Sequence, residues 1–259
     1  VPIIDRDPTG AITGVNPFTF DLNYKRKLRG FSAELQQIYK TDRATAIGGA
    51  RYQWAEVDTA ARLDRVGTAF PPIFSTPPAT QTASPNLDRF SVYGYYYYQL
   101  TEKLTAYLGA SVDTQRFPQN TEVPPISANE DTESQVSPKI GLRYRPFEQT
   151  TLRAAYSRSL GGVFFDQSIR LEPTQMAGFV NTYRSVLPES GAGILPGAEQ
   201  DVAGLAWDQQ FGPKTCLMVS GQWLRSGGAR SLGTFDFSTL PADAATTSQS
   251  VDYEEQSLL

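Results

Sequence analysis

The sequence predicts an all-β chain: an antiparallel transmembrane β-barrel, or a segment of a larger one, of about eight strands. Three observations lead there. Strand-like alternation runs through most of the 259 residues, tight and long connections alternate along the chain, and aromatic residues mark both ends of the strands. Composition agrees. Gly 21, Pro 18, Phe 14 and Tyr 13 mark a turn-rich β chain, and a charged share of 19% is low for a water-soluble one. No window reaches 18 consecutive apolar residues, so no membrane helix is expected, and a barrel strand needs only alternation.

Eight strands are expected over 28–40, 43–57, 88–99, 104–116, 136–145, 151–160, 199–211 and 215–225. Four connections are tight: Thr41-Asp42, Thr101-Glu102-Lys103, Phe147-Glu148-Gln149 and Gly212-Pro213-Lys214. Between them fall long ones, at 58–87, 117–135, 161–198 and from 226 onward. A soluble sandwich has no reason to place its long loops on every second connection. A membrane barrel does, with short turns on the periplasmic side and long loops outside. Residues 1–27 read as an N-terminal loop or linker and 28–259 as the barrel segment. The final "DYEEQSLL" reads as a strand just beginning, so the barrel is expected to continue beyond it.

Within a strand, odd and even residues face opposite sides. In "VSPKIGLRYR" the row Val136, Pro138, Ile140, Leu142, Tyr144 opposes Ser137, Lys139, Gly141, Arg143, Arg145. The strands beginning at Arg43, Leu104 and Thr151 sort the same way: one set of rows holds Arg43, Arg51, Asp113 and Arg153, and the other holds no charge. An Arg or Lys facing lipid at the midplane costs roughly 2–4 kcal/mol, so complete sorting is what a membrane barrel requires. The uncharged rows are also small and mixed (Ala, Gly, Val, Leu), which suits lipid tails better than a close-packed sandwich core. The lumen-lining candidates are therefore Arg51, Tyr93, Tyr95, Tyr97, Asp113, Lys139, Arg143 and Arg153. Two roles are open to the basic ones: a path favouring anions, or pairing with Glu34, Asp113 and Asp208 to hold the wall together.

Aromatics supply the depth scale. Tyr39, Tyr98, Tyr144, Phe147 and Phe211 sit beside the short turns, and Trp54, Phe90 and Trp223 near the long-loop ends. Together they read as the two girdles of a membrane barrel. In "YGYYYYQL" the even row, Tyr96 and Tyr98, belongs to the girdle, while Tyr93, Tyr95 and Tyr97 face the lumen as candidates for touching cargo.

Catalysis finds little support. The chain has no His and a single cysteine, Cys216, which alternates into the inward row of Met218, Ser220 and Gln222. That removes the commonest general base, the commonest transition-metal ligand and any disulfide framework. No cofactor is implied, and no metal site beyond a weak Ca²⁺ option in the acidic "NEDTE", Asn129 to Glu133. A net charge of −4 and a pI near 5.0 argue against nucleic acid as a partner.

The stretch "SPKIGLRYRPFEQTTLRAAYSRS", Ser137 to Ser159, resembles a recurring strand–turn–strand unit of TonB-dependent outer-membrane receptors. "IRLEPTQMAGF" and "LPESGAGILPGAEQD" are more similar to the C-terminal barrels of outer-membrane proteins with tetratricopeptide repeats. The first resemblance implies the membrane part of a transporter or receptor in a Gram-negative-type outer membrane. Its partners would be the lipid bilayer, a periplasmic energy-coupling protein, and a small-molecule or polymer cargo. Energised uptake would also depend on a plug and coupling segment that these residues do not contain. The second implies the barrel of an export or secretion protein with an export partner. A soluble β-rich binding module is the alternative of another class.

Overall fold

A computed structural model of the chain describes residues 1–7, 9–17, 19–64, 74, 78–121, 124–161, 170–181, 196–236 and 242–259. The chain opens with a hairpin, β1 (Pro2–Arg6) and β2 (Ile12–Pro17). Its turn is organised by Asp7, whose Oδ1 accepts hydrogen bonds from Thr9 N, Thr9 Oγ1 and Ala11 N at 2.9, 2.6 and 2.9 Å. Then follow β3 (Asp21–Lys40), β4 (Ala44–Asp64), the short β5 (Ala79–Ala83), β6 (Asn86–Gln99), β7 (Leu104–Asn120), β8 (Ser127–Phe147) and β9 (Thr150–Leu160). Two-residue strands β10 (Gln175–Met176) and β11 (Phe179–Val180) form a separate hairpin, and β12 (Glu199–Gln210), β13 (Cys216–Asp236) and β14 (Asp243–Leu258) complete the chain.

The long strands form one antiparallel meander in the order β13-β12-β9-β8-β7-β6-β4-β3, with β14 on the other side of β13 and β1 parallel to its far end. The sheet is curled like half a barrel. Among the described residues, β3 and β14 each pair on one side only. The hydroxyls of Thr41 and Thr101 close two of the short turns by accepting from Ala44 N and Leu104 N, at 3.0 and 3.1 Å.

One expectation is corrected. Residues 1–27 are not a loop: they hold β1, β2 and the start of β3. Among the described residues nine long strands run through the meander, in keeping with about eight and a further one at the end, 243–258, which pairs with β13 along sixteen residues. Several strands also run well past their expected ends. β8 takes in the whole acidic stretch, with Glu130 and Asp131 accepting hydrogen bonds from Asn86 N and Gln119 Nε2, both at 2.8 Å. The reason is physical. Above the bilayer both faces of a strand are polar, so the alternation that signals a strand vanishes while the backbone ladder continues.

The two faces differ as lipid and lumen require. Outward rows such as Leu104, Ala106, Leu108, Ala110 and Val112 carry no charge, and their large side chains are open: Leu108 is 50% exposed, Ile140 51% and Leu205 69%. From Leu104 to Val112 is about 20 Å of height at ~3.3 Å per residue and ~40° tilt, close to the ~25 Å apolar band of such barrels. Outward charges appear at the level of Trp54 on β4, where Asp88 stands opposite it and meets Arg116 at 2.6 Å and Arg29 meets Glu56 and Asp58 at 3.0 Å each. They appear also toward the long-loop ends of β9 and β12, where Arg158 meets Asp201 at 3.0 Å. So much contiguous exposed hydrocarbon on a soluble module would drive aggregation. At the outer end, Phe20, Phe74 and Phe235 meet at ring distances of 5.1–5.4 Å and draw together the far ends of β4 and β13 around Leu63.

Candidate lumenal site

The strand registers stack the inward side chains in rows across the sheet. Arg51, Ser91, Asp113 and Gln135 share one row; Tyr95, Gly109, Lys139 and Ser157 share another nearer the short turns. All eight lumen-lining candidates lie on this inward face. Arg51, Tyr93, Tyr95, Asp113 and Lys139 are buried, and Tyr97, Arg143 and Arg153 are half-buried.

What buries the centre is the segment Arg170–Asn181, part of the long connection after β9, which folds back against the inward face. Its tip is the two-residue turn Ala177-Gly178 between β10 and β11, with φ of +48° and +90°. Positive φ at both central residues is the hairpin turn whose twist matches its strands, and the second position suits glycine. Glu172, 7% exposed, is the anchor. Its Oε1 accepts from Lys139 Nζ at 2.9 Å and from the Tyr95 hydroxyl at 2.7 Å, and its Oε2 lies 4.0 Å from Arg51 Nη2. Lys139 Nζ also donates to the Tyr95 oxygen at 2.8 Å. Glu34 holds the approach by accepting from the backbone N–H groups of Leu171 and Glu172 at 2.8 and 3.0 Å, while Gln36 Nε2 donates to Leu171 O at 2.6 Å.

The apolar side of the hairpin rests on the tyrosine row. Met176, fully buried, joins Tyr93 and Tyr95, with Tyr97 and Tyr107 at the margin. Phe179 packs beneath Arg153, 5.4 Å from ring to guanidinium, and Arg153 is clamped by Asp208 through Nε at 2.7 Å and Nη2 at 2.9 Å. The inward glycines are explained by these contacts. A Cβ on Gly204 would meet the Phe179 ring at 2.5 Å, and one on Gly109 would meet the Tyr95 ring at 2.6 Å and Met176 Cε at 3.2 Å. One on Gly141 would meet the Ala177 Cβ at 3.0 Å. These small inward residues make room for rings and for the hairpin.

A second buried network lies farther from the short turns. Asp113 Oδ1 accepts from Arg89 Nη2 at 2.8 Å, Arg89 Nε at 3.1 Å and Ser91 Oγ at 2.6 Å, and Oδ2 accepts from Ser111 Oγ at 3.0 Å. Arg89 and Glu172 are the members that sequence reasoning missed. Arg89 stood in the inward row beside Ser91 and was legible by parity. Glu172 gave no signal, because a loop residue has no parity.

Of the girdle candidates, Tyr39, Phe90, Tyr98, Tyr144, Phe147 and Phe211 are exposed on the outward face or its turns. Trp54 and Trp223 are half-buried: Trp54 packs 6.1 Å from Phe31, and Trp223 Nε1 donates to Glu254 Oε1 at 2.9 Å. Trp207 joins the outward row near the short turns and was not foreseen. Tyr96 and Tyr98 stack outward at 5.9 Å and 12°. Cys216 is exposed, at the start of β13. Among the described residues, no group of three or more His, Cys, Asp or Glu could hold a metal ion.

An open apolar band outside, buried charge inside and short turns gathered at one end define a membrane β-barrel wall. Residues 59–190, just over half of the chain, match the family described as TonB dependent receptor-like, beta-barrel, and the chain belongs to that family. Its barrels are outer-membrane proteins of Gram-negative bacteria. Among solved structures, a copper transporter, OprC, shares the fold with a TM-score of 0.56 over 92% of this chain at 11% identity. The chain spans 35% of that transporter's length, and the likeness at this identity is one of fold alone. No curated protein matches the sequence.

Proposed function

We propose that this chain forms part of the wall of an outer-membrane transporter or receptor whose solute passes along the inward face, with the segment 170–181 as an internal gate. The observation that carries the reading is Glu172. A carboxylate from a surface connection reaches a buried Lys139 and Arg51 inside the wall, so the connection lies where a solute would travel. The hairpin sits opposite Gly141 and Gly204, each six residues from the short-turn end of its strand, or about 15 Å above it at ~3.3 Å per residue and ~40° tilt. That level is within the bilayer, so passage requires the hairpin to move. Neither edge strand has a second neighbour among the described residues, and we infer that further strands complete the ring. Membership of the family supports an energy-coupling partner in the periplasm. The copper in the OprC name is not carried over, since the likeness is one of fold alone.

The test is solute flux through the protein reconstituted in liposomes, with and without residues 170–181. Deleting them is expected to raise the permeability to small sugars at unchanged barrel content, judged by heat-modifiable migration on a gel. Equal flux in both proteins would end the gate. A monodisperse protein in detergent-free buffer would end the membrane assignment itself.

A further inference from the structure

The inward cations fall into two groups. Arg51, Arg89, Lys139 and Arg153 each face a carboxylate deep in the wall. At the short-turn end, Lys40, Arg43, Lys103, Arg143 and Arg145 line a pocket of about 210 Å³ formed by the ends of β3, β4, β6, β7 and β8. None of these five makes an ion pair among the described residues. Arg143 lies 6.0 Å over the Tyr107 ring and donates to Thr105 Oγ1 at 3.4 Å, while Lys103 Nζ donates to Pro146 O at 3.0 Å. Asp42 and Glu102 also line the pocket but engage none of the five, which leaves a net excess of positive charge. The topology is the cause: Arg143 stands directly across the ladder from Arg153, and Asp208 already serves Arg153.

We propose that this mouth binds a small multivalent anion of the phosphate or polycarboxylate class. Like charges gathered in a concave wall focus their potential, and guanidinium groups bind phosphate and carboxylate oxygens through paired N–H donors. The 210 Å³ pocket accommodates one such group and not a polymer. The lining is chiefly polar (Thr41, Thr45, Gln99, Thr105) and offers hydroxyl and amide donors to the remaining oxygens. A free solute leaving the lumen and the headgroup of an inner-leaflet lipid share this chemistry.

The experiment is calorimetric titration of the detergent-solubilised protein with inorganic pyrophosphate, and in a second arm with short-chain phosphatidate in mixed micelles. Saturable binding of one equivalent is expected in at least one arm. It should weaken at least tenfold in the Arg143→Gln, Arg145→Gln double variant and stay unchanged in Lys214→Gln, which alters a cation on a different turn. Binding of pyrophosphate alone identifies a free solute, and binding of phosphatidate alone a headgroup. Absence of saturable binding in both arms, or equal affinity in the double variant, overturns the site. Heat-modifiable migration of each variant guards against misfolding, and because no membrane potential or flux is read, the gate can fail without affecting this result.

Discussion

Replacing Glu172 by glutamine keeps the shape of the side chain and removes the charge that Lys139 and Arg51 face. Lys139 is 3% exposed, so it cannot turn to water when its partner is lost. Removing one member of a buried pair costs about 3–5 kcal/mol, mainly because the remaining charge stays buried and uncompensated. The cost falls on the docked state, since an undocked hairpin leaves Lys139 open to the lumen. At about 1.4 kcal/mol per decade, 3 kcal/mol raises the undocked population roughly a hundredfold. Hydrogen exchange read by mass spectrometry on the peptide spanning 170–181 measures that population. The informative amides are Leu171 and Glu172, which donate to Glu34, and Asn181, which donates to Thr174 O at 3.0 Å. Their protection should fall by about two decades in the variant, or vanish if docking is weaker than that. Changing the pair together, Lys139→Met with Glu172→Leu, should restore part of the protection, because no lysine charge is then left buried opposite the docked hairpin. Exchange within threefold of the parent in the single variant would refute the electrostatic account and leave Met176 and Phe179 packing as the anchor.

Three further outcomes are expected. Gly204→Val should release the hairpin without altering any charge, since a Cβ there meets the Phe179 ring at 2.5 Å; the same exchange experiment should show faster exchange over 175–180. Leu108→Arg, at mid-height on the outward face, should destabilise the bilayer-inserted protein by about 2–4 kcal/mol in denaturant titration, whereas Gln222→Arg on the inward row should change it by under ~1 kcal/mol. The Asp7 turn should be acid-labile. Hydrogen bonds from the Thr9 hydroxyl and from Ala11 and Thr9 N–H hold the Asp7 carboxyl below its ordinary value of 3.8, so their stabilisation is complete above that value and is lost as pH falls through the lower folded one. Amide shifts of Thr9 and Ala11 should titrate with a midpoint under 3.8, and a midpoint at or above it would contradict the geometry.

The sequence by itself determined the faces of the strands. Parity along "SPKIGLRYR" assigns Ile140 and Leu142 to one side and Lys139 and Arg143 to the other, because a strand has period two and charge is costly in lipid. The same parity separates Tyr96 and Tyr98 from Tyr93, Tyr95 and Tyr97. It failed where one face ceased to be apolar, as at Asn129 to Glu133, since hydrogen-bond pairing between strands needs no alternation. The tertiary structure alone decided which partners the inward charges take. Whether Lys139 is a free cation or the anchor of a gate depends on a carboxylate 33 residues away in a loop, and no local pattern encodes that approach. The three inward tyrosines changed meaning for the same reason. Their direction follows from strand geometry, but their burial comes from a hairpin folded back from the far end of the wall.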